Sequence, residues 1–390
     1  MQESYLSRRN MVRGGLAIAA LCLGSAPRAA RSDRQRGSSV SITDIDGRTV
    51  AITRPIRRLL LGNGPLAYVM AVLQPENPFA NVVGWGNNFR AADLDGYNAY
   101  LRRFPDIDRI PSFSSGTLES IGAELAISLE PDVVVMNLSS KHAALASGLM
   151  ARLAHVGIPV LFVDFRTRMF ENTTRSIQIL GELLERQDRA ARFLQFRQEQ
   201  IDRVIEPLAK VRSRPRVMVE RAAGMYDDCC LTYGDGNFGE LIRAAGGDNL
   251  GAHFLHGSFG TLHPEQVIES DPDVVLVTGA NWSLYSPAGD WVNLGPGADP
   301  VEGQSRLHRL MQRPAYRSLR AVTAGRVHAI WHPFYDNPYY FIALQRVAKW
   351  LHPEVFAALD PEDTFRELHA RFLPVPYESG YWLSLEGGAS

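Results

Sequence analysis

The sequence predicts an α/β protein built as two parallel-sheet lobes joined by one long α-helix, with a ligand cleft between the lobes. Three observations predict it. The run Glu-x6-Pro-Asp-Val-Val occurs twice, once from Glu124 and once from Glu265. Short β-branched runs alternate with helical periodicity in each half of the chain, the pattern of a parallel sheet covered on both faces. Between the halves, residues 169–212 carry helical periodicity and no strand signal.

Residues 1–30 read as an export signal rather than as part of the fold. Arg8 and Arg9 precede a short apolar stretch over residues 14–24, and the small residues Ala26, Ala29 and Ala30 follow. The stretch is too short to span a bilayer. The adjacent arginines resemble a twin-arginine signal. Cys22 leaves lipid anchoring open.

The first lobe, residues 31–168, opens with alternation over residues 40–52 about Asp46-Gly47, which predicts a hairpin. A strand over 59–61 runs into the turn Gly62-Asn63-Gly64-Pro65, and a helix follows to Leu73. Strands are expected over 81–85, 133–136 and 160–163, with helices over 93–103 and 118–129. In each Glu-x6-Pro-Asp run the proline stops a short helix, because it lacks an N–H and disfavours the α region in the residue before it. The Val-Val pair then enters a sheet.

Residues 169–212 link the lobes through two helices, 173–184 and 188–206. In the second, Phe193, Leu194, Ile201, Val204, Ile205 and Leu208 fit one buried stripe. The second lobe, residues 213–390, repeats the strand–helix alternation, so both lobes are Rossmann-like in plan. Strands are expected over 217–220, 274–277 and 327–331. Helices are expected over 238–245, 338–351 and 360–372, the last with Pro361 in its first turn. Residues 281–302 are rich in Gly and Pro and predict no element; loops of that length usually carry function.

The composition, 390 residues with 45% hydrophobic and 21% charged, suits ordinary globular packing. The formal net charge is −1, and removing residues 1–30 takes away four arginines and one glutamate. That acidic balance, with no basic aromatic stripe, excludes a nucleic-acid partner. Past the leader only Cys229 and Cys230 remain. Adjacent cysteines rarely bridge, because the small ring strains the peptide bond between them, so no disulfide framework is expected. Enzyme motifs are missing: there is no phosphate loop, Gly62-Asn63-Gly64 lacks the further glycine of a dinucleotide fingerprint, and no Gly-x-Ser-x-Gly elbow occurs. His253-x2-His256 is the most closely spaced histidine pair and no His-rich loop is present, so no metal site is expected. A metal-handling enzyme with paired α/β lobes is the competing class.

Further residues carry a family likeness: Asp46-Gly47-Arg48 in the opening hairpin, Pro55-Ile56-Arg57-Arg58 after it, and Ala324-Gly325-Arg326-Val327-His328-Ala329-Ile330 near the end. With the lobe–helix–lobe order and the twin glutamate runs, the chain resembles the helix-linked (class III) solute-binding proteins of ABC importers. Within them it resembles the iron-siderophore, haem and vitamin B12 group. The resemblance implies a periplasmic monomer with no intrinsic cofactor, whose partners are an inner-membrane ABC permease and its ATPase. It implies a ferric-siderophore-type Fe(III) chelate as ligand, with haem, cobalamin or a bare metal ion as alternatives.

In that family one glutamate on each lobe meets permease arginines, and the matching positions are Glu124 and Glu265. A helix preceding a parallel strand starts beside the strand's carboxyl end, where ligand crevices of open α/β sheets lie. The plainer reading is that Glu favours a helix N-terminus for its dipole, and Glu119 competes in the first lobe. Loops after strand carboxyl ends supply candidate ligand contacts. These are Trp85, Arg90 and Arg166 in the first lobe, and Arg221, Tyr226, Trp282, His332 and Tyr335 in the second. Aromatic walls suit a large apolar ligand body and arginines suit anionic oxygens. Phenolate or imidazole from Tyr226, His332 or Tyr335 could complete an iron shell. Trp or Tyr beside a strand end is more often packing.

Overall fold

The computed structural model describes residues 38–113, 123–226 and 228–385. The leader, the 118–122 part of one expected helix, Glu119 and Asp227 lie outside the described residues. An antiparallel hairpin opens the fold, β1 (Ser38–Thr43) with β2 (Thr49–Arg54), turning at Gly47 with φ +81°. Ile42 and Ile52 face inward. Five parallel strands form the first lobe's sheet: β3 (Leu59–Leu61), β4 (Val82–Gly86), β5 (Ser112–Phe113), β6 (Val133–Asn137) and β7 (Val160–Val163). Their spatial order is β5-β4-β3-β6-β7. Every residue of β3, β6 and β7 is buried, as the unbroken apolar runs require of a doubly covered sheet. Gly64 lets the turn after β3 pass close to the end of β4: a Cβ there would stand 2.5 Å from Gly86 O.

The second lobe contains β8 (Arg216–Glu220), β9 (Leu231–Tyr233), β10 (Asp248–Asn249), β11 (Phe259–Thr261), β12 (Val274–Gly279), β13 (Val327–Trp331) and β14 (Trp382–Ser384). The main sheet runs β10-β8-β12-β13-β14 and is parallel but for β14, which pairs antiparallel with β13. β9 and β11 form a separate antiparallel pair. The sequence predicts none of β9, β11 and β14.

The repeated run has a structural cause that recurs in both lobes. Glu130 and Asp271 adopt left-handed backbone, with φ 42° and 39°, and end their helices just before Pro131 and Pro272. The aspartate that follows then caps the entry of a neighbouring strand. Asp132 Oδ2 accepts the Arg57 and Arg58 backbone N–H groups, each at 2.9 Å, and Asp273 Oδ2 accepts that of Arg216 at 2.9 Å. Arg58 and Arg216 in turn donate to the last helix carbonyls, Leu129 O at 2.7 Å and Ser270 O at 3.4 Å. Each lobe thus uses one Arg and one Asp to satisfy helix-end carbonyls and strand-start amides that have no partner within their own element.

Between the sheets lie the helices Met169–Leu183 and Gln187–Leu208. The second has 22 residues and so spans about 33 Å. It packs on the helix Leu66–Leu73 of the first lobe and on Tyr340–Leu351 of the second. Arg197, buried within it, donates to Thr174 Oγ1 at 3.2 Å and to Tyr340 OH. Leu66–Leu73 is buried on all faces, which explains why it is apolar all round. No helix among the described residues is long and apolar enough to cross a membrane.

The glycine- and proline-rich stretch 280–299 holds no helix or strand, yet Trp282, Trp291, Val292 and Leu294 in it are buried. It crosses to the first lobe, where Trp282 Nε1 donates to Ala92 O at 3.0 Å and Asn281 Nδ2 to Asp95 Oδ1 at 2.8 Å. Contrary to the expectation for adjacent cysteines, Cys229 and Cys230 are joined by a disulfide. Cys230 stands in left-handed backbone, φ +81°, at the end of the loop between β8 and β9.

Candidate functional site

A cavity of about 380 Å3 opens between the lobes, at the carboxyl ends of both sheets. The first lobe contributes Ser139 and Ser140, just after β6, and Arg166 and Thr167, just after β7. The second contributes Arg221 after β8, Tyr335 after β13, and Tyr233, Asn237 and Phe259 from the β9–β11 region. Among the described lining residues none is acidic.

The two arginines are held by their surroundings. Asp164 is buried and accepts the backbone N–H groups of Arg166 at 3.0 Å and Thr167 at 2.8 Å, with the Asn172 amide at 2.7 Å. The Arg166 guanidinium lies over the Tyr335 ring, 4.7 Å from its centre, so a first-lobe cation stacks on a second-lobe aromatic. Arg221 lies over Phe259 at 4.7 Å. Stacking occupies each guanidinium face and leaves its N–H edges for ligand oxygens. Asn237 closes the seam beside them, donating to Arg166 O at 2.8 Å and Tyr335 O at 2.9 Å.

Electrostatics follow from burial and this pair. The Tyr335 phenol beside Arg166 raises the guanidinium's pKa against the opposing effect of burial. Burial pushes the Tyr335 hydroxyl up, while Arg166 opposes that shift. His332 is driven well below the usual imidazole range by burial and then by Arg221 and Arg166, so its ring is neutral. Beneath the cavity, Asp336 accepts the Asn137 amide at 2.9 Å and that of Asn63 at 3.5 Å, both from the first lobe. Burial raises its pKa to about 7 despite Arg166. Asp93 is raised to about 7 by burial as well, although Tyr68 of its own lobe donates to it and Trp331 donates to it across the other seam. The cavity can therefore grip an anionic, oxygen-rich ligand with two cations on opposite walls and hydroxyls between them. Among the described residues, no group of three or more His, Cys, Asp or Glu side chains could hold a metal ion.

A family model described as "Periplasmic binding protein" matches residues 95–331. The chain belongs to the periplasmic binding protein family. This is a family of solute-binding proteins, not enzymes. A cobalamin-binding protein of Halobacterium salinarum is 25% identical over 264 residues, 66% of this chain and 64% of the relative. The chain therefore spans 64% of the length of the curated relatives it matches. Among solved structures, the TroA-like periplasmic binding protein FepB of Veillonella parvula is 24% identical with TM-score 0.79, covering 89% of this chain and all of that one (100%). The molybdate periplasmic binding protein MolA of Haemophilus influenzae, solved with molybdate bound, is 19% identical with TM-score 0.67, covering 87% and 99%.

In this binding protein three of the residues read as ligand contacts, Arg166, Arg221 and Tyr335, line the cavity. The others do not. Trp85 is buried in an edge-to-face cluster with Phe79 and Phe89. Trp282 is buried against Trp291 and His332 and joins the lobes through Ala92. His332 pairs through Nδ1 with Thr278 Oγ1 at 2.9 Å and packs against Tyr335 with the rings tilted by 41°, supporting that wall without lining the cavity. Arg90 pairs with Asp108 at 3.3 Å over Tyr97. Tyr226 is exposed on the 221–230 loop.

Apolar bulk beside a strand end went to packing; only the loop arginines and one tyrosine reached the cleft. The sequence reading missed Ser139, Ser140, Thr167, Tyr233, Asn237 and Phe259. Asn237, left-handed at φ +57° before the helix Phe238–Ala244, carries a weak local signal; the β9 and β11 strands are too short to give one. Glu124 and Glu265 both stand in the first turn of a helix, with side chains 81% and 87% exposed. Their neighbours, Arg152 at 4.0 Å and His263 at 3.7 Å, leave both carboxylates open to solvent.

Proposed function

We propose that the chain is the solute-binding component of an ABC importer and captures an anionic ferric chelate of the siderophore type between its lobes. The observation that carries this reading is the pair Arg166 and Arg221, one from each lobe, each stacked on an aromatic ring over one cavity free of described acids. Two fixed guanidiniums suit a ligand with several anionic oxygens. A ferric catecholate presents such a face, and so does the oxyanion that MolA holds. Tyr335 and Tyr233 add aromatic area for the organic part of a chelate. The protein acts as a periplasmic monomer without intrinsic cofactor, exported by the twin-arginine signal at Arg8-Arg9. It delivers its ligand to an inner-membrane permease and ATPase by presenting Glu124 and Glu265, exposed at equivalent helix starts, to permease arginines.

The second reading is a corrinoid, favoured by the cobalamin-binding relatives. A cavity of about 380 Å3 sits at the small end of ligand pockets, about 300–1,000 Å3, and would grip only one edge of so large a ligand. Titrating the purified protein with ferric catecholate, ferric hydroxamate, haem and cobalamin, read by tryptophan fluorescence, tests the proposal. Saturable one-to-one quenching strongest with the ferric catecholate is expected; tighter binding of cobalamin or haem would replace the reading.

A further inference from the structure

The loop of residues 221–230 starts at a cleft arginine and ends at a disulfide. Its two ends are pinned together by Arg221 N–H, which donates to Leu231 O at 2.7 Å, and its start is tied to β12 by Ala222 N–H, which donates to Thr278 Oγ1 at 2.8 Å. Cys230 immediately precedes Leu231, and its own carbonyl accepts Leu262 N–H at 3.0 Å. So the residue that anchors Arg221's backbone is bonded to a residue of the disulfide. Leu231 also begins β9, whose Tyr233 lines the cavity and pairs with Phe259, the ring on which Arg221 stacks.

Cys230 keeps a left-handed backbone, φ +81°, that non-glycine residues rarely adopt. Such a conformation persists only when its surroundings over-determine it, and the covalent link to Cys229 is one of those constraints. The two sulfurs differ in access: Cys230 is wholly buried below Tyr316, whereas Cys229 is half-buried. A reductant therefore reaches the pair from the Cys229 side.

We propose that the Cys229–Cys230 disulfide is a redox site that fixes Arg221 in the cleft, so that the closed form captures ligand and the opened form captures it weakly. The proposal rests on the capture reading above and adds its regulation. The reductant is a dithiol. One of its thiolates attacks Cys229 Sγ, the bond to Cys230 Sγ breaks, and the leaving thiolate takes up a proton. The second thiolate of the dithiol then displaces Cys229 from the mixed disulfide as a thiolate, which is protonated in turn; the dithiol leaves as its own disulfide, two electrons having passed to the cysteines. Cys230 is then free to return to ordinary backbone, and the Leu231 anchor moves with it. Oxidising conditions outside a cytoplasm favour the closed form.

The test compares the full-length oxidised protein with the same protein after dithiothreitol, using a thiol reagent to count opened pairs. Amide hydrogen exchange over residues 221–231 is the first readout, and affinity for a ferric tris-catecholate the second. Reduction is expected to remove exchange protection at the Arg221 amide and to weaken the catecholate about tenfold, the loss of one charge-assisted contact. Reoxidation restores both. Cys229→Ser should behave as the reduced protein without reductant and ignore dithiothreitol. Thiols that appear with exchange and affinity unchanged, or a Cys229→Ser protein matching the oxidised wild type, overturn the proposal. Should the oxidised protein not bind the catecholate, the capture reading fails, and exchange at Arg221 alone then decides the switch.

Discussion

Replacing Asp336 by asparagine probes the seam on which the cleft rests. The carboxyl is buried, accepts amides from Asn137 and Asn63 of the opposite lobe, and has its pKa raised to about 7, by burial foremost. Unfolded, the same group titrates near the ordinary carboxylate value of 3.8. The folded form thus binds the proton more tightly, and stability falls as pH rises from about 4 to about 7, then levels. Three pKa units at 1.36 kcal/mol each set an upper bound of roughly 4 kcal/mol on that loss. Asparagine mimics the protonated state. Its oxygen keeps the Asn137 contact, and its NH2 can donate to Asn63, whose Oδ1 has no hydrogen-bond partner among the described residues of the wild type. Urea unfolding at pH 5 and pH 8 reads the difference, with all other titrating groups common to both proteins. Asp336→Asn should already be more stable than wild type at pH 5, and its advantage should grow by up to about 2–3 kcal/mol more by pH 8. A stability difference that does not change between the two pH values would refute the assignment of a high pKa to this carboxyl.

Three other predictions concern the cleft, the docking face and the repeat. Arg166→Met and Arg221→Met, which keep side-chain bulk, should each weaken a ferric catecholate roughly ten- to hundredfold while barely changing a neutral ferric hydroxamate, measured by fluorescence titration. Glu124→Ala with Glu265→Ala should abolish uptake in a transport assay yet leave ligand affinity within about twofold, because interface charge pairs act on docking and not on capture. Asp132→Ala and Asp273→Ala each orphan strand-entry amides and should cost about 1–3 kcal/mol in urea unfolding; equal stability to wild type would make these caps incidental.

The order of elements was legible because each signal is local. Pro131 and Pro272 mark helix ends by their missing N–H, the valines after them mark buried strands, and the long apolar stripe from Phe193 to Leu208 marks the linking helix. What escaped was non-local. β9, β11 and β14 have three residues each, too few for alternation to register, and they exist only because a distant partner strand is present. The same limit governs the site. Arg166, Arg221 and Tyr335 follow strands and face the cavity, yet Trp85 at the end of β4 and Trp282 just after β12 turn into packing. Sequence fixes where a side chain leaves the sheet but not which wall it meets. The Cys229–Cys230 bond was missed for a related reason: average backbone geometry argues against it, whereas the left-handed Cys230 at the loop end accommodates it.

The most direct test of anionic iron-chelate capture is iron anomalous scattering from crystals of the protein grown with a ferric catecholate. The account predicts a single iron peak inside the interlobe cavity, with Arg166 and Arg221 both contacting the chelate oxygens. An iron peak outside that cavity, or a chelate seated there that touches neither arginine, would contradict it.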